Sequence, residues 1–382
     1  MELSKTGTGK TQGKIFTDQD GNKKMEILDE QKLISGETLR VLHWDSSEKA
    51  PEKYINYILT SVGSSNPHRY LYSSAGWRTY FRDAMSGTYF PDVVDHWFFA
   101  EVDGECAGRI WFAYSKKSLR GNFGNVMTEP AFRNRGIMRE LMKHCMDAIR
   151  RSPANMLCCI ASKKITPVYL KYGFQLIHGG ESGPLCFIKD GTFASEAEQA
   201  FSGNRIMEIR PGEISDQFDC DKFLVYVPEL WKREHPVQTG PAAFVSDFRL
   251  AFQESFAGNS VVYVALNERK VCCGYAFAVM LPSGMPVLDF VVHPAYLDDA
   301  AGLIRTTVSA FLEKFGTSPF YYGLSADAGK IAAALGAGMV QIAEIPSGLY
   351  RREQSADMTV LMSKRLEKIN NKPKFSKKEG KE

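Results

Sequence analysis

The chain has no run of eighteen or more apolar residues, so a membrane-crossing helix of ordinary length is not expected. Its first residues are polar and lysine-containing without an apolar h-region, so Sec export is not expected and a cytoplasmic location is. Neither HExxH nor CxxC occurs, and the cysteines at 106, 145, 158, 159, 186, 220, 272 and 273 show no metal-ligand spacing, so no metal site is expected. The adjacent pairs Cys158-Cys159 and Cys272-Cys273 lie inside apolar runs. They read as small buried hydrophobes of a reducing cytosol rather than as a disulfide framework. Net charge is also scarce: 47 basic against 44 acidic residues leave +3, too little for a broad nucleic-acid surface. Any attraction to anions should therefore be local, and nucleic acid is not an expected partner.

What is present is a globular chain of 382 residues, 44% hydrophobic, long enough for two cores. Its most informative segment runs through FGNVMTEPAFRNRGIMRELMKHCMDAIRR and then NMLCCIASKKITPVYLKYGF, ending at Phe174. A short apolar strand leads through Pro130 into the basic turn Arg133-Asn134-Arg135-Gly136, and then into a helix carrying Ile137, Leu141, Met142 and Cys145. Free amides at a helix start, the positive end of its dipole and two arginine forks can together cradle a pyrophosphate. Further on, Thr166 suits an N-cap, Pro167 a first helical position and Gly173 a left-handed helix end. Tyr169 then falls about one turn before that end.

This order of elements resembles the acetyl-CoA-binding core of the GCN5-related N-acetyltransferases, the GNAT superfamily. In that family the turn reads Arg or Gln, two residues, Gly, one residue, then Gly or Ala. Arg133 to Gly136 fits through the first glycine, while Met138 stands where the family has a small residue. The resemblance implies an α/β fold, a mixed and mostly antiparallel sheet with flanking helices. It implies acetyl-CoA as co-substrate, with Met127 and Thr128 meeting the pantetheine arm through backbone groups and Arg133, Asn134, Arg135, Gly136, Ile137 and Met138 forming the pyrophosphate site. A family tyrosine four residues before the glycine of a Tyr-Gly-Phe ending often protonates the departing thiolate, and Tyr169 has that spacing to Gly173. A phenol with a reference pKa near ~10 is a suitable acid for a thiol near ~8.5.

A weak internal repeat extends the pattern. Ala100 to Gly108 resembles Ala265 to Gly274, each reading as two strands joined by a polar hairpin; Pro130-Ala131-Phe132 recurs as Pro294-Ala295-Tyr296, and Tyr172-Gly173-Phe174 is echoed by Ala337-Gly338-Met339. These offsets of 164 to 165 imply tandem GNAT-like domains. The second copy has Leu297-Asp298-Asp299-Ala300 in place of the basic turn and Ala334 in place of Tyr169, so it reads as a degenerate scaffold without cofactor.

The expected layout is a flexible segment over 1–36, an acyltransferase domain over 37–190, a polar linker over 191–204, a degenerate GNAT-like domain over 205–364 and a basic, solvated tail over 365–382. Strands are expected at 38–42, 96–102, 107–114, 123–128 and 156–161, with helices at 48–62, 68–85 and 135–150. The second half should repeat this with strands at 206–209, 260–266, 271–280, 286–292 and 318–324 and helices at 298–315 and 327–337.

The implied activity is direct transfer of an acetyl group from CoA to an amine of a small-molecule acceptor, held between domains. An amine needs a base, for which Glu101 and Glu129 are the candidates, and the aromatics Trp77, Tyr80, Phe81, Tyr89, Phe90 and Trp97 could line an acceptor pocket. Two other classes remain open: a non-catalytic acyl-CoA sensor or scaffold, and a tRNA-dependent aminoacyl transferase, which would need a basic groove.

Overall fold

The computed structural model describes residues 14–17, 23–61, 71–178, 180–181, 183–220, 248–281, 283–324, 328–346 and 358–364. Two mixed sheets carry the fold. Among the described residues the first has nine strands: β1 (Lys14–Thr17), β2 (Lys23–Lys32), β3 (Thr38–Asp45), β4 (Val93–Val102), β5 (Glu105–Ser115), β6 (Arg120–Thr128), β7 (Met156–Ala161), β8 (Gln175–Leu176) and β9 (Gly183–Ile188). They lie in the order β1-β2-β3-β4-β5-β6-β7-β9-β8, and of these only β6 and β7 run parallel. The second sheet holds β10 (Ile206–Pro211), β11 (Ser260–Asn267), β12 (Cys272–Met280), β13 (Pro286–Val292), β14 (Phe320–Leu324), β15 (Met339–Pro346) and β16 (Met358–Lys364) in the order β10-β11-β12-β13-β14-β16-β15. From β3 and β10 onward the two orders correspond strand for strand. The parallel pair recurs at the same place, as β13 beside β14. The α/β fold with two mixed, mostly antiparallel sheets is thus what the sequence leads one to expect.

Helices cover both faces. On one face lies α3 (Ile137–Arg151), whose Ile137, Leu141, Met142, Cys145, Met146 and Ile149 recur at three- and four-residue steps and are buried against Phe98, Ile110 and Phe112 of the sheet. Its counterpart α7 (Ala301–Phe315) covers the second sheet with Leu303, Ile304, Val308 and Phe311. The opposite face of the first sheet packs α1 (Glu52–Ser61) and α2 (Leu71–Met85), and these continue into the second unit. One cluster joins Trp97, Phe99, Trp111, Tyr80 and Phe81 to Phe218, Tyr275 and α6 (Phe248–Phe256). The helical layer between the sheets therefore serves both cores.

Three expectations need correction. Residues 1–36 are not all loosely attached, because Lys23–Lys32 pairs along β3 and places Met25 and Ile27 in the shared core. The stretch 191–204 is not a featureless linker: α5 (Phe193–Ala200) starts there, with Thr192 and Ser195 forming a reciprocal capping box. Small polar residues that read as loop are a helix cap in this context, and Glu196 on α5 takes a hydrogen bond of 2.6 Å from Arg120 on β6. The closing pair β15 and β16 is absent from the expected strands. The basic tail over 365–382 lies outside the described residues.

Candidate active site

The turn before α3 is built by backbone conformation. Asn134 and Gly136 take left-handed φ values of 64° and 81°, and α3 begins directly after Gly136. Left-handed steps at two of three successive residues turn consecutive N–H groups toward one side, which makes a concavity for anions. From Asn134 to Met138, no backbone N–H donates a hydrogen bond to any acceptor among the described residues. Five free amides at the positive end of a fifteen-residue helix suit a pyrophosphate. The Met138 side chain is partly buried against the core beneath α3.

The arginines differ. Arg133 is exposed and donates from Nε to the Thr128 carbonyl at 3.2 Å. Arg135 is engaged: its Nη1 donates to both carboxylate oxygens of Glu37 at 2.9 and 2.8 Å, its Nη2 to the Ala131 carbonyl at 3.1 Å, and its guanidinium lies over the Phe132 ring. Ser35 and Arg135 together hold the Glu37 carboxyl below its ordinary pKa. A phosphate would have to displace Glu37 to reach this fork. Nothing local in sequence marks that contact, since the partners are 98 residues apart.

Beside the turn the sheet opens. β6 pairs with β7 only from Arg120 to Asn122, although β6 runs on to Thr128 and β7 to Ala161. A register shift in β6, with Asn125 at φ 51°, bends the strand away. Met127 and Thr128 lie in this open half and pair only with Arg109 and Gly108 of β5 on their other side. Gly108 is required there, because a Cβ would come within 2.9 Å of the Met127 carbonyl oxygen. The Thr128 carbonyl is already taken by Arg133.

Tyr169 lies in α4 (Thr166–Leu170) and is buried. Its ring packs edge-on against Phe123 at 5.5 Å and against Phe174 at 5.6 Å. Gly173, at φ 96°, lets the chain reverse so that the Phe174 amide donates back to the Tyr169 carbonyl at 3.3 Å. Thr166 is not the cap: it is inside the helix, and its hydroxyl donates to the Ser162 carbonyl at 3.1 Å. Burial raises the Tyr169 pKa, with the Cys159 and Cys145 thiols adding to it, so the phenol keeps its proton. A neutral phenol can give a proton to a leaving group.

The carboxylates are unequal. Glu101 is buried on β4, paired with Lys53, and accepts from the Tyr54 hydroxyl at 2.9 Å. Glu129 follows β6 and lies near Tyr57 and Arg109. Arg109 is a buried guanidinium stacked over the Tyr57 ring at 5.2 Å, and burial lowers its pKa. A lone arginine in the apolar run of β5 was a signal the sequence offered, and it was missed. Among the described residues these aromatics do not form a pocket wall. Tyr80, Phe81, Tyr89 and Trp97 are core residues of the layer between the sheets, Phe90 is exposed beneath Lys116, and the side chain of Trp77 lies outside the described residues.

The second sheet offers a contrast at the equivalent place. Pro294–Asp299 forms a 3-10 turn running straight into α7, and Asp299 accepts from the Ile206 amide at 2.7 Å. β13 and β14 pair at only two positions, as their counterparts do at three. Here Lys330 of α8 (Ala328–Gly336) reaches Asp289 of β13 at 3.1 Å, over the Phe290 and Tyr321 rings. Ala334, where the first unit has Tyr169, is fully buried.

Residues 94–176, from β4 to β8, match the family model described as Acetyltransferase (GNAT) domain. No curated protein matches the chain. Similar solved structures include an acetyltransferase of GNAT family from Streptococcus pneumoniae, 15% identical over 41% of this chain and 98% of that one, with a TM-score of 0.30. Another is yncA of Salmonella typhimurium with its cofactor acetyl-CoA, 20% identical over 43% and 96%, TM-score 0.31. A third is the ribosomal-protein-S5-alanine acetyltransferase of Vibrio fischeri, 13% identical over 41% and 91%, TM-score 0.32. At these scores the likeness to solved structures carries no argument, and the family-model match covers residues 94–176 of the chain's 382.

Proposed function

We propose that the protein is an acyl-CoA-dependent N-acyltransferase that moves an acetyl group from acetyl-CoA to the amine of a small-molecule acceptor, a reading supported by the family-model match over 94–176. The observation that carries this reading is the row of free amides from Asn134 to Met138 beside the opening between β6 and β7. Those amides and Arg133 would hold the pyrophosphate, and the free edge of β6 near Met127 would take the pantetheine amides by strand-like pairing. Bound acetyl-CoA supplies an activated acyl group with a thiolate leaving group.

The chain's own residues then do three things. Backbone groups of β6 fix the reacting carbonyl, so orientation supplies much of the acceleration. Tyr169, kept neutral by burial, donates its proton toward the leaving sulfur. Glu129 takes up the proton that the acceptor amine must lose, directly or through water. Glu101 is held by Lys53 and Tyr54, whereas Glu129 faces Tyr57 and Arg109 at the end of β6. We read the second unit as a scaffold: its turn is acidic, its tyrosine position is Ala334, and the Lys330–Asp289 pair lies at its strand opening.

Calorimetric titration of acetyl-CoA tests this, with an Arg133→Ala, Arg135→Ala double variant alongside. One site per chain, lost in the variant, is the expected result, followed by release of free CoA thiol when amines are screened. A protein that binds no acyl-CoA refutes the reading and leaves a scaffold.

A further inference from the structure

Asp29 of β2 stands over α3 beside Glu140 and His144. The last two are four residues apart and so share one face of the helix. One ligating atom from each of the three residues lies within 4.8 Å of the others. His144 Nε2 is buried and lies 3.7 Å from Asp29 Oδ2, beyond hydrogen-bond reach, and finds no hydrogen-bond partner among the described residues. A buried imidazole nitrogen without a hydrogen bond, aimed between two carboxylates, is the donor set of a divalent first-row metal.

We propose that Asp29, Glu140 and His144 bind a divalent metal ion such as zinc, fastening β2 onto α3. Atoms that share an ion at about 2.1 Å stand roughly 3 to 3.5 Å apart, so the site closes by small side-chain rotations. Asp29 and Glu140 keep 34% and 17% of their side-chain surface and have room for this. The competing cations are Arg139 and Lys143, at 3.4 and 3.7 Å from Glu140, and both are exposed, where such pairs are weak. Three protein ligands leave a coordination position for water. The hairpin that carries Asp29 also carries Glu37, so the ion would steady the segment that contacts the anion-binding turn through Arg135.

The test uses the full chain, stripped with a chelator and titrated with zinc chloride by calorimetry, with cobalt(II) as a spectroscopic probe. One ion per chain, a raised melting temperature and a cobalt spectrum with nitrogen ligation are expected. Affinity should fall about tenfold or more in both His144→Gln and Asp29→Asn, with circular dichroism unchanged. Absence of binding, or binding by the two variants equal to that of the unmutated chain, overturns the proposal. A cobalt spectrum of oxygen ligands alone overturns it without recourse to any variant.

Discussion

Replacing Asp95 by asparagine should flatten the pH dependence of stability. Asp95 is fully buried on β4, accepts from Trp111 Nε1 at 2.8 Å, and is reached by the Tyr80 hydroxyl at 3.1 and 3.2 Å from its two oxygens. Burial outweighs those bonds and pushes its pKa up to about 7. The unfolded carboxyl titrates near ~3.9. Between these values the native state keeps a proton that the unfolded chain has released, so stability falls as pH rises from about 4 to about 7 and is level beyond. A rise of this size corresponds to roughly 4 kcal/mol. The Asp95→Asn side chain would offer a carbonyl oxygen to Trp111 and carry no charge, so this loss should vanish. Urea melts of both proteins at about pH 4, 6 and 8 read the difference, and groups shared by the two, including His96, cancel in the comparison. Parallel stability curves across that window would refute the account of Asp95 as a desolvated acid.

Two further outcomes follow from the site. Tyr169→Phe removes the donated proton while keeping the ring on Phe123 and Phe174, so kcat should fall by about 10²- to 10⁴-fold with acetyl-CoA affinity unchanged; an unaltered kcat would remove Tyr169 from the mechanism. Glu37→Gln removes the carboxylate that occupies the Arg135 fork, so acetyl-CoA should bind more tightly by calorimetry, and weaker or equal binding would show that Glu37 does not compete.

Much of the site was legible because its determinants are local. A glycine turn before an amphipathic helix at Gly136, and a left-handed glycine four residues after Tyr169 at Gly173, are set by neighbouring backbone and were readable. The strand orders of the two sheets correspond over the segments in which the sequence matches fall. Thr166 misled because its hydroxyl bonds backward to Ser162 instead of capping, a choice that spacing does not reveal. The polar residues near 192 misled in the opposite sense, as a loop composition that turned out to be a capped helix.

By itself the sequence determined the fold class, the order of elements and the glycine turn before α3, because periodicity, glycine conformation and helix ends are properties of short segments. Only the tertiary structure decided what each polar group faces. It brought Glu37 onto Arg135, tied Glu101 to Lys53 and left Glu129 beside Arg109. It also turned Tyr80 and Trp97 into core by packing the second unit against their helical layer, and gathered Asp29, Glu140 and His144 from a strand and a helix more than a hundred residues apart. Such pairings depend on which strand edge and helix face meet in space, and no local pattern encodes that distance.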